Sequence, residues 1–214
     1  MEIVWHGHAC FRLKSREITI ITDPYDGKAV GYNLGKPLAD IVTVSHGHPG
    51  HDNVAAVGGE PKLIAGPGEY EIRGVFITGI QTYHDNEAGK KRGKNTVYLF
   101  ELDDLVVCHL GDLGHPLASA QAEAMSNVDL LLIPVGGVVT IGAAQAAEMI
   151  SLIEPKITIP MPYRTEGDAG APDPVDRFCR ELGVKVPAPQ PKLVVTRSTL
   201  PEQSQVILLE YRKA

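Results

Sequence analysis

Apolar residues in this chain fall mostly in short runs rich in Val, Ile and Leu, each closed by Gly, Pro, Asp or Asn. Runs of that length and composition predict strands. They lie at 18–22, 41–44, 62–65, 75–80, 96–101, 105–109, 129–133, 156–159 and 206–211, and the N-terminal MEIVWHGHACFRL is strand-like but interrupted by polar residues. Three segments read as helices: 117–125, 143–153 and 173–182. The last follows Pro172 and stops before Gly183, the expected punctuation of a helix. Gly66 to Tyr70 reads as a tight turn. Strands dominate the first half as meanders and hairpins, and helices enter singly, so the pattern fits neither a βαβ repeat nor an all-β barrel. It predicts an α+β fold with sheets inside. The Pro/Gly-rich stretches 165–174 and 187–191 read as loops too short to be domain linkers, and a single domain over 1–214 is expected.

Composition narrows the functional classes. With 43% hydrophobic residues in 214, the chain is long enough to bury a full core. Its 20 Lys+Arg against 26 Asp+Glu give a net charge of -6, which argues against a nucleic-acid-binding protein. No apolar run approaches the roughly 20 residues needed to span a bilayer, and the N-terminus does not read as a secretory signal. Cys10, Cys108 and Cys179 are odd in number and sit in apolar surroundings, which predicts reduced buried thiols and a cytoplasmic protein.

The residues that suggest chemistry come next. Ser45-His46-Gly47-His48-Pro49-Gly50-His51-Asp52 directly follows the apolar run 41–44. Three imidazoles on a Gly/Pro turn at a strand end can converge on one divalent cation, and zinc favours such nitrogen donors. His84 and Asp112 each follow another predicted strand, where a rigid sheet can present ligands. Downstream of His84, Lys90, Lys91, Arg92 and Lys94 read either as a solvated charged loop or as a place for the phosphate or carboxylate of a small anionic substrate.

These motifs resemble those of the metallo-β-lactamase superfamily. His46-Gly-His48-Pro-Gly50-His51 is similar to its His-x-His-x-Asp-His signature, and Gly111-Asp112 to its later metal-bridging aspartate. Trp5-His-Gly-His8-Ala, Thr22-Asp23-Pro24, Gly66-Pro-Gly-Glu-Tyr70, Asn95-Thr-Val-Tyr98, Leu132-Ile-Pro-Val-Gly-Gly137 and Pro155-Lys-Ile-Thr-Ile-Pro-Met-Pro-Tyr163 resemble its predicted Zn-dependent hydrolase branch, near the ascorbate-6-phosphate lactonase-like proteins. The resemblance implies a four-layer αββα sandwich with a metal site at one edge of the sheets. It implies His46, His48 and His84 at a first metal position with Asp112 at its edge, His51 and Asp112 at a second, and His8 and Asp23 nearby as supporting residues.

Two departures bear on activity. Gly50 stands where the signature has Asp, and Pro162 stands where the branch has His, so the second position keeps only two of its ligands. Asp52, two positions beyond the missing carboxylate, is a candidate replacement base. Two functions therefore stay open. One is a hydrolase of a small ester, lactone or phosphoester that holds one zinc, or two, with manganese and iron as alternatives. The other is a metal-poor, catalytically degenerate relative that binds or assembles. A homo-oligomer is compatible with either.

Overall fold

In the computed structural model, which describes residues 1–125, 127–166 and 172–212, the apolar runs assemble into two sheets. The first contains β1 (Glu2–Gly7), β2 (Cys10–Lys14), β3 (Thr19–Thr22), β4 (Ile41–Val44), β5 (Lys62–Ala65) and β12 (Leu193–Val194), in the order β12-β1-β2-β3-β4-β5. The second contains β6 (Gly68–Ile72), β7 (Val75–Tyr83), β8 (Lys94–Leu102), β9 (Leu105–His109), β10 (Leu130–Pro134), β11 (Ile157–Met161) and β13 (Gln205–Val206), in the order β13-β11-β10-β9-β8-β7-β6.

Burial of each strand follows its sequence. β4 (IVTV) and β10 (LLLIP) are buried along their whole length, as expected of parallel strands covered on both faces. β7 alternates buried with more exposed positions, the signature of a strand with one solvated face. Ile20 and Ile41 face the main core, which they share with Ile77, Val97 and Phe100 of the second sheet. Their neighbours Ile21 and Val42 point the other way, into a smaller cluster with Tyr25, Val30 and Tyr32. Tyr98 on β8 crosses the sandwich: its hydroxyl donates to Val44 O at 2.8 Å and accepts the Gly66 N–H at 2.9 Å.

Helices complete the layers unequally. α3 (Ala143–Ile153) turns Ala143, Ala146, Met149 and Ile153 inward at helical spacing and packs beside α4 (Val175–Glu181), which buries Phe178 and Cys179. α2 (Ser119–Glu123) precedes β10. Over the first sheet the outer layer is thin, consisting of α1 (Gly27–Val30), a single 3-10 turn at Val54–Ala56 and irregular chain. The fold is the expected α+β sandwich with its two sheets innermost.

Some boundaries differ from the sequence reading. The stretch read as a turn at Gly66 to Tyr70 is largely strand, because β6 pairs residue by residue with β7 from Gly68↔Gly79 to Ile72↔Val75. Of the run 206–211 only Val206 joins the ladder with β11, together with Gln205 just before it. The loop expected at 165–174 lies partly outside the described residues. All three cysteines are buried and free, and no helix among the described residues is long and apolar enough to cross a membrane.

Candidate metal centre

Strand direction brings the chemistry together. β3 and β4 run parallel, so Asp23 and the 45–51 turn leave the first sheet at the same edge. β7 and β9 are both antiparallel to β8, so His84 and Asp112 leave the second sheet at one edge as well. His8 sits in the tight β1–β2 connection, on a left-handed residue (φ 50) just after Gly7. Asp23 is left-handed too (φ 40). Such conformations in residues with side chains are costly and concentrate at functional sites.

Two groups of donors result. His46, His48 and His84 form one, and His8, His51 and Asp112 form the other; within each, the ligand atoms lie within 4.8 Å of one another. His46 Nε2 stands 3.0 Å from His48 Nδ1, and His51 Nε2 stands 3.1 Å from both His8 Nε2 and Asp112 Oδ2. Asp112 Oδ2 is also 3.5 Å from His84 Nε2 and 4.0 Å from His46 Nε2, so one carboxylate joins the groups. Adjacent nitrogen ligands of a tetrahedral zinc, bonded at about 2.0–2.1 Å, stand about 3.3 Å apart, close to these separations.

Hydrogen bonds behind the rings decide which nitrogens face inward. Ser45 Oγ donates to Asp23 Oδ2 at 2.6 Å and therefore accepts from His46 Nδ1 at 3.0 Å. His51 Nδ1 donates to the same Asp23 Oδ2 at 2.8 Å, and Asp23 Oδ1 accepts the Ser45 N–H at 2.8 Å. His84 Nδ1 donates to the Asp112 carbonyl at 2.9 Å. With the Nδ1 hydrogens of His46, His51 and His84 committed, their Nε2 atoms are the ones that face inward, where a cation would take the place of any proton they carry. Asp112 is itself held by Asn95, whose Oδ1 accepts the Asp112 N–H at 3.0 Å while its Nδ2 donates to Thr82 Oγ1 and Leu110 O. Gly111 makes this approach feasible, since a Cβ there would stand 2.5 Å from Asn95 Oδ1 and 2.7 Å from Ser45 Cβ.

Electrostatics fit a cation as well. Burial pushes His46 down to about 3 and, with help from the His51 charge, His8 down to about 4. Burial also opposes charge on His51, but Asp112 and Asp23 outweigh it and raise that ring to about 10, so its Nε2 holds a proton toward Asp112 that a cation would have to displace. Burial disfavours an anionic Asp112, yet the His51 charge and hydrogen bond hold its carboxyl far below the usual range. Asp112 Oδ1 is buried with no hydrogen-bond partner, an orphan that a cation would satisfy.

The remaining sequence candidates are not members of either donor group. Asp52 is exposed, with its carboxylate on the Gly47 side of the turn. Lys90, Lys91, Arg92 and Lys94 are exposed, and Lys91 pairs with Glu87. Asp85 accepts the backbone N–H groups of Glu87, Gly89, Lys91 and Arg92 and so shapes the turn that carries them. His109 Nε2 donates to Ala9 O, and His115 accepts the Tyr83 N–H, so each serves local structure. Among the described residues no donor from the strand end at Pro162 joins either group. Sequence reasoning placed His8 only near the site, whereas its Nε2 stands among the donors; it also overlooked Ser45 and Asn95. The Asn95-Thr-Val-Tyr98 motif was the available signal for Asn95.

Comparison with known proteins points the same way. A family model described as a beta-lactamase superfamily domain matches residues 2–162. A UPF0173 protein of Pyrococcus abyssi is 30% identical over 205 residues, covering 85% of this chain and 90% of its own. A UPF0173 metal-dependent hydrolase of Pyrococcus horikoshii is 27% identical, covering 86% and 93%. A crystal structure from Thermotoga maritima, described as a candidate Zn-dependent hydrolase of the metallo-beta-lactamase superfamily, superimposes with a TM-score of 0.79 at 37% identity, covering 97% of each chain. An isothiocyanate hydrolase from Delia radicum gut bacteria shares the fold, with a TM-score of 0.70 at 13% identity over 92% of this chain and 99% of that one.

Proposed function

The chain belongs to the metallo-β-lactamase superfamily, and from that premise we propose that it is a metal-dependent hydrolase of a small ester, lactone or phosphoester. His46, His48 and His84 would hold a divalent ion, with Asp112 beside them. A bound ion of this kind lowers the pKa of water from 15.7 toward about 7, which supplies a nucleophile at neutral pH. The nitrogen-rich donor set favours zinc over magnesium or manganese.

The protein's own part is orientation. Asp23, acting directly on His51 and through Ser45 on His46, fixes both rings with their Nε2 atoms inward. Asp112, whose Oδ2 faces His46, His51 and His84, acts as an acceptor that orients and balances charge. Lys90, Arg92 and Lys94, exposed on the turn after His84, suit an anionic group on the substrate.

The observation that carries the reading is the buried, unpartnered Asp112 Oδ1 among inward-facing imidazole nitrogens. A metal-free binding protein would gain nothing from that costly arrangement. The test is elemental analysis of protein purified without chelator, repeated on a His46→Ala/His48→Ala variant. At least about one ion per chain, lost in the variant, is expected, and lactones and phosphoesters are then screened for turnover. No metal in the parent, even after incubation with excess zinc, would sink the hydrolase reading.

A further inference from the structure

We infer that His8 takes the place of a ligand from position 50 and completes a second metal position with His51 and Asp112. The inference rests on the metal-centre reading above and extends it to a residue from a different part of the chain. Position 50 belongs to the turn after β4, whereas His8 belongs to the connection between β1 and β2.

Space supplies the first argument. An ideal Cβ built on Gly50 would lie 3.0 Å from His8 Nε2 and 3.3 Å from Val30 Cγ1. Even the first carbon of a side chain at position 50 would therefore crowd the donor nitrogen of His8, and glycine leaves the ring its room. Where the superfamily signature has Asp, the carboxylate has been exchanged for an imidazole that reaches in from the β1–β2 turn.

The turn fixes the backbone that carries the ring. His8 adopts φ 50 after Gly7 at φ 96, and the indole N–H of Trp5 donates to the His8 carbonyl at 2.9 Å. His8 Nδ1 is buried without a hydrogen-bond partner, so the ring's polar contact is made at Nε2, 3.1 Å from His51 Nε2. His51 has its Nδ1 hydrogen committed to Asp23, and Asp112 Oδ1 has no partner. Two imidazole nitrogens and a carboxylate meeting in this way form a three-ligand set with an open fourth place, the usual complement of a reactive zinc.

Exchange makes a rescue test available. Zinc stoichiometry and affinity are measured by equilibrium dialysis and elemental analysis on the full chain, the His8→Ala variant and the His8→Ala/Gly50→Asp double variant, with thermal melts confirming that each is folded. The parent is expected to hold two equivalents. His8→Ala should keep the first and weaken the second by at least about 10–100-fold, the loss seen when even an outer partner of a ligand is removed. The double variant, with the space vacated and a carboxylate supplied, should recover the second equivalent.

Two equivalents in both parent and His8→Ala at equal affinity would overturn the assignment of His8 and leave the first position intact. One equivalent in both would overturn the second position itself, again without touching the first. Failure of the folded double variant to recover the second ion would refute the exchange of position 50 for His8. No metal in the parent would overturn this inference together with the reading beneath it.

Discussion

Asp23→Asn is nearly isosteric, yet the hydrogen-bond pattern predicts a large effect. The carboxylate accepts three hydrogen bonds: Ser45 N–H at Oδ1, and Ser45 Oγ–H and His51 Nδ1–H at Oδ2. An amide can offer one oxygen. If that oxygen stays with the Ser45 N–H, the amide nitrogen faces His51 Nδ1 and must donate to it. A neutral His51 must then keep its hydrogen on Nε2, where it points at Asp112 and His8 and occupies the lone pair a cation needs. If the amide is turned over, two donors face each other at Ser45. Losing a hydrogen bond to a charged group costs about 1.5–3 kcal/mol. Loss of an orienting partner weakens metal binding by about 10–100-fold, or about 1.4–2.8 kcal/mol. The two figures agree. Zinc titration against a competing fluorescent chelator should show the weaker equivalent reduced by this factor and the tighter one reduced less, because Asp23 reaches His46 only through Ser45. A folded Asp23→Asn protein that binds both equivalents within about threefold of the parent would show that carboxylate-controlled ring orientation is not what prepares this site.

Two further outcomes follow from structure away from the donors. Tyr98→Phe removes the hydroxyl that joins Val44 O to Gly66 N–H between the sheets, and stranding those groups should cost about 1–3 kcal/mol in chemical denaturation; an unchanged midpoint would show that water replaces the bridge. Asp85 is opposed by burial, but its four backbone donors lower it from 3.8 to about 2. Because the folded pKa is the lower one, its contribution is full above about pH 4 and is lost as pH falls through about 2. Amide exchange at Glu87, Gly89, Lys91 and Arg92 should accelerate together over that window in the parent and be fast throughout in Asp85→Ala.

What could be read from the sequence divides along the range of the interactions. Strands 41–44, 105–109 and 129–133 were legible because apolar runs buried on two faces are locally distinctive. The turn holding His46, His48 and His51 was legible because three imidazoles lie close together, and His84 and Asp112 because each follows a strand. His8 was placed only nearby, since its role depends on space left by Gly50 and on His51, 43 residues away. Asn95, just ahead of the run 96–101, was marked only by the Asn95-Thr-Val-Tyr98 motif, and its contact with Asp112 exists only once β8 and β9 pair. β6 was hidden behind two glycines and a proline that usually mark a turn, and pairing with β7 overrode that preference.

The exchange of a carboxylate for His8 also changes what the pocket repels and attracts. Asp112 is the one carboxylate among the donor atoms of both groups, with Asp23 set behind His51. Two divalent ions there would face far less negative charge than in a site that keeps its aspartate, and in a buried setting the excess positive potential would persist. Such a pocket should hold small anions tightly, so phosphate or carbonate in a buffer would behave as a competitor, and the leaving of an anionic product would become the slow event of a turnover.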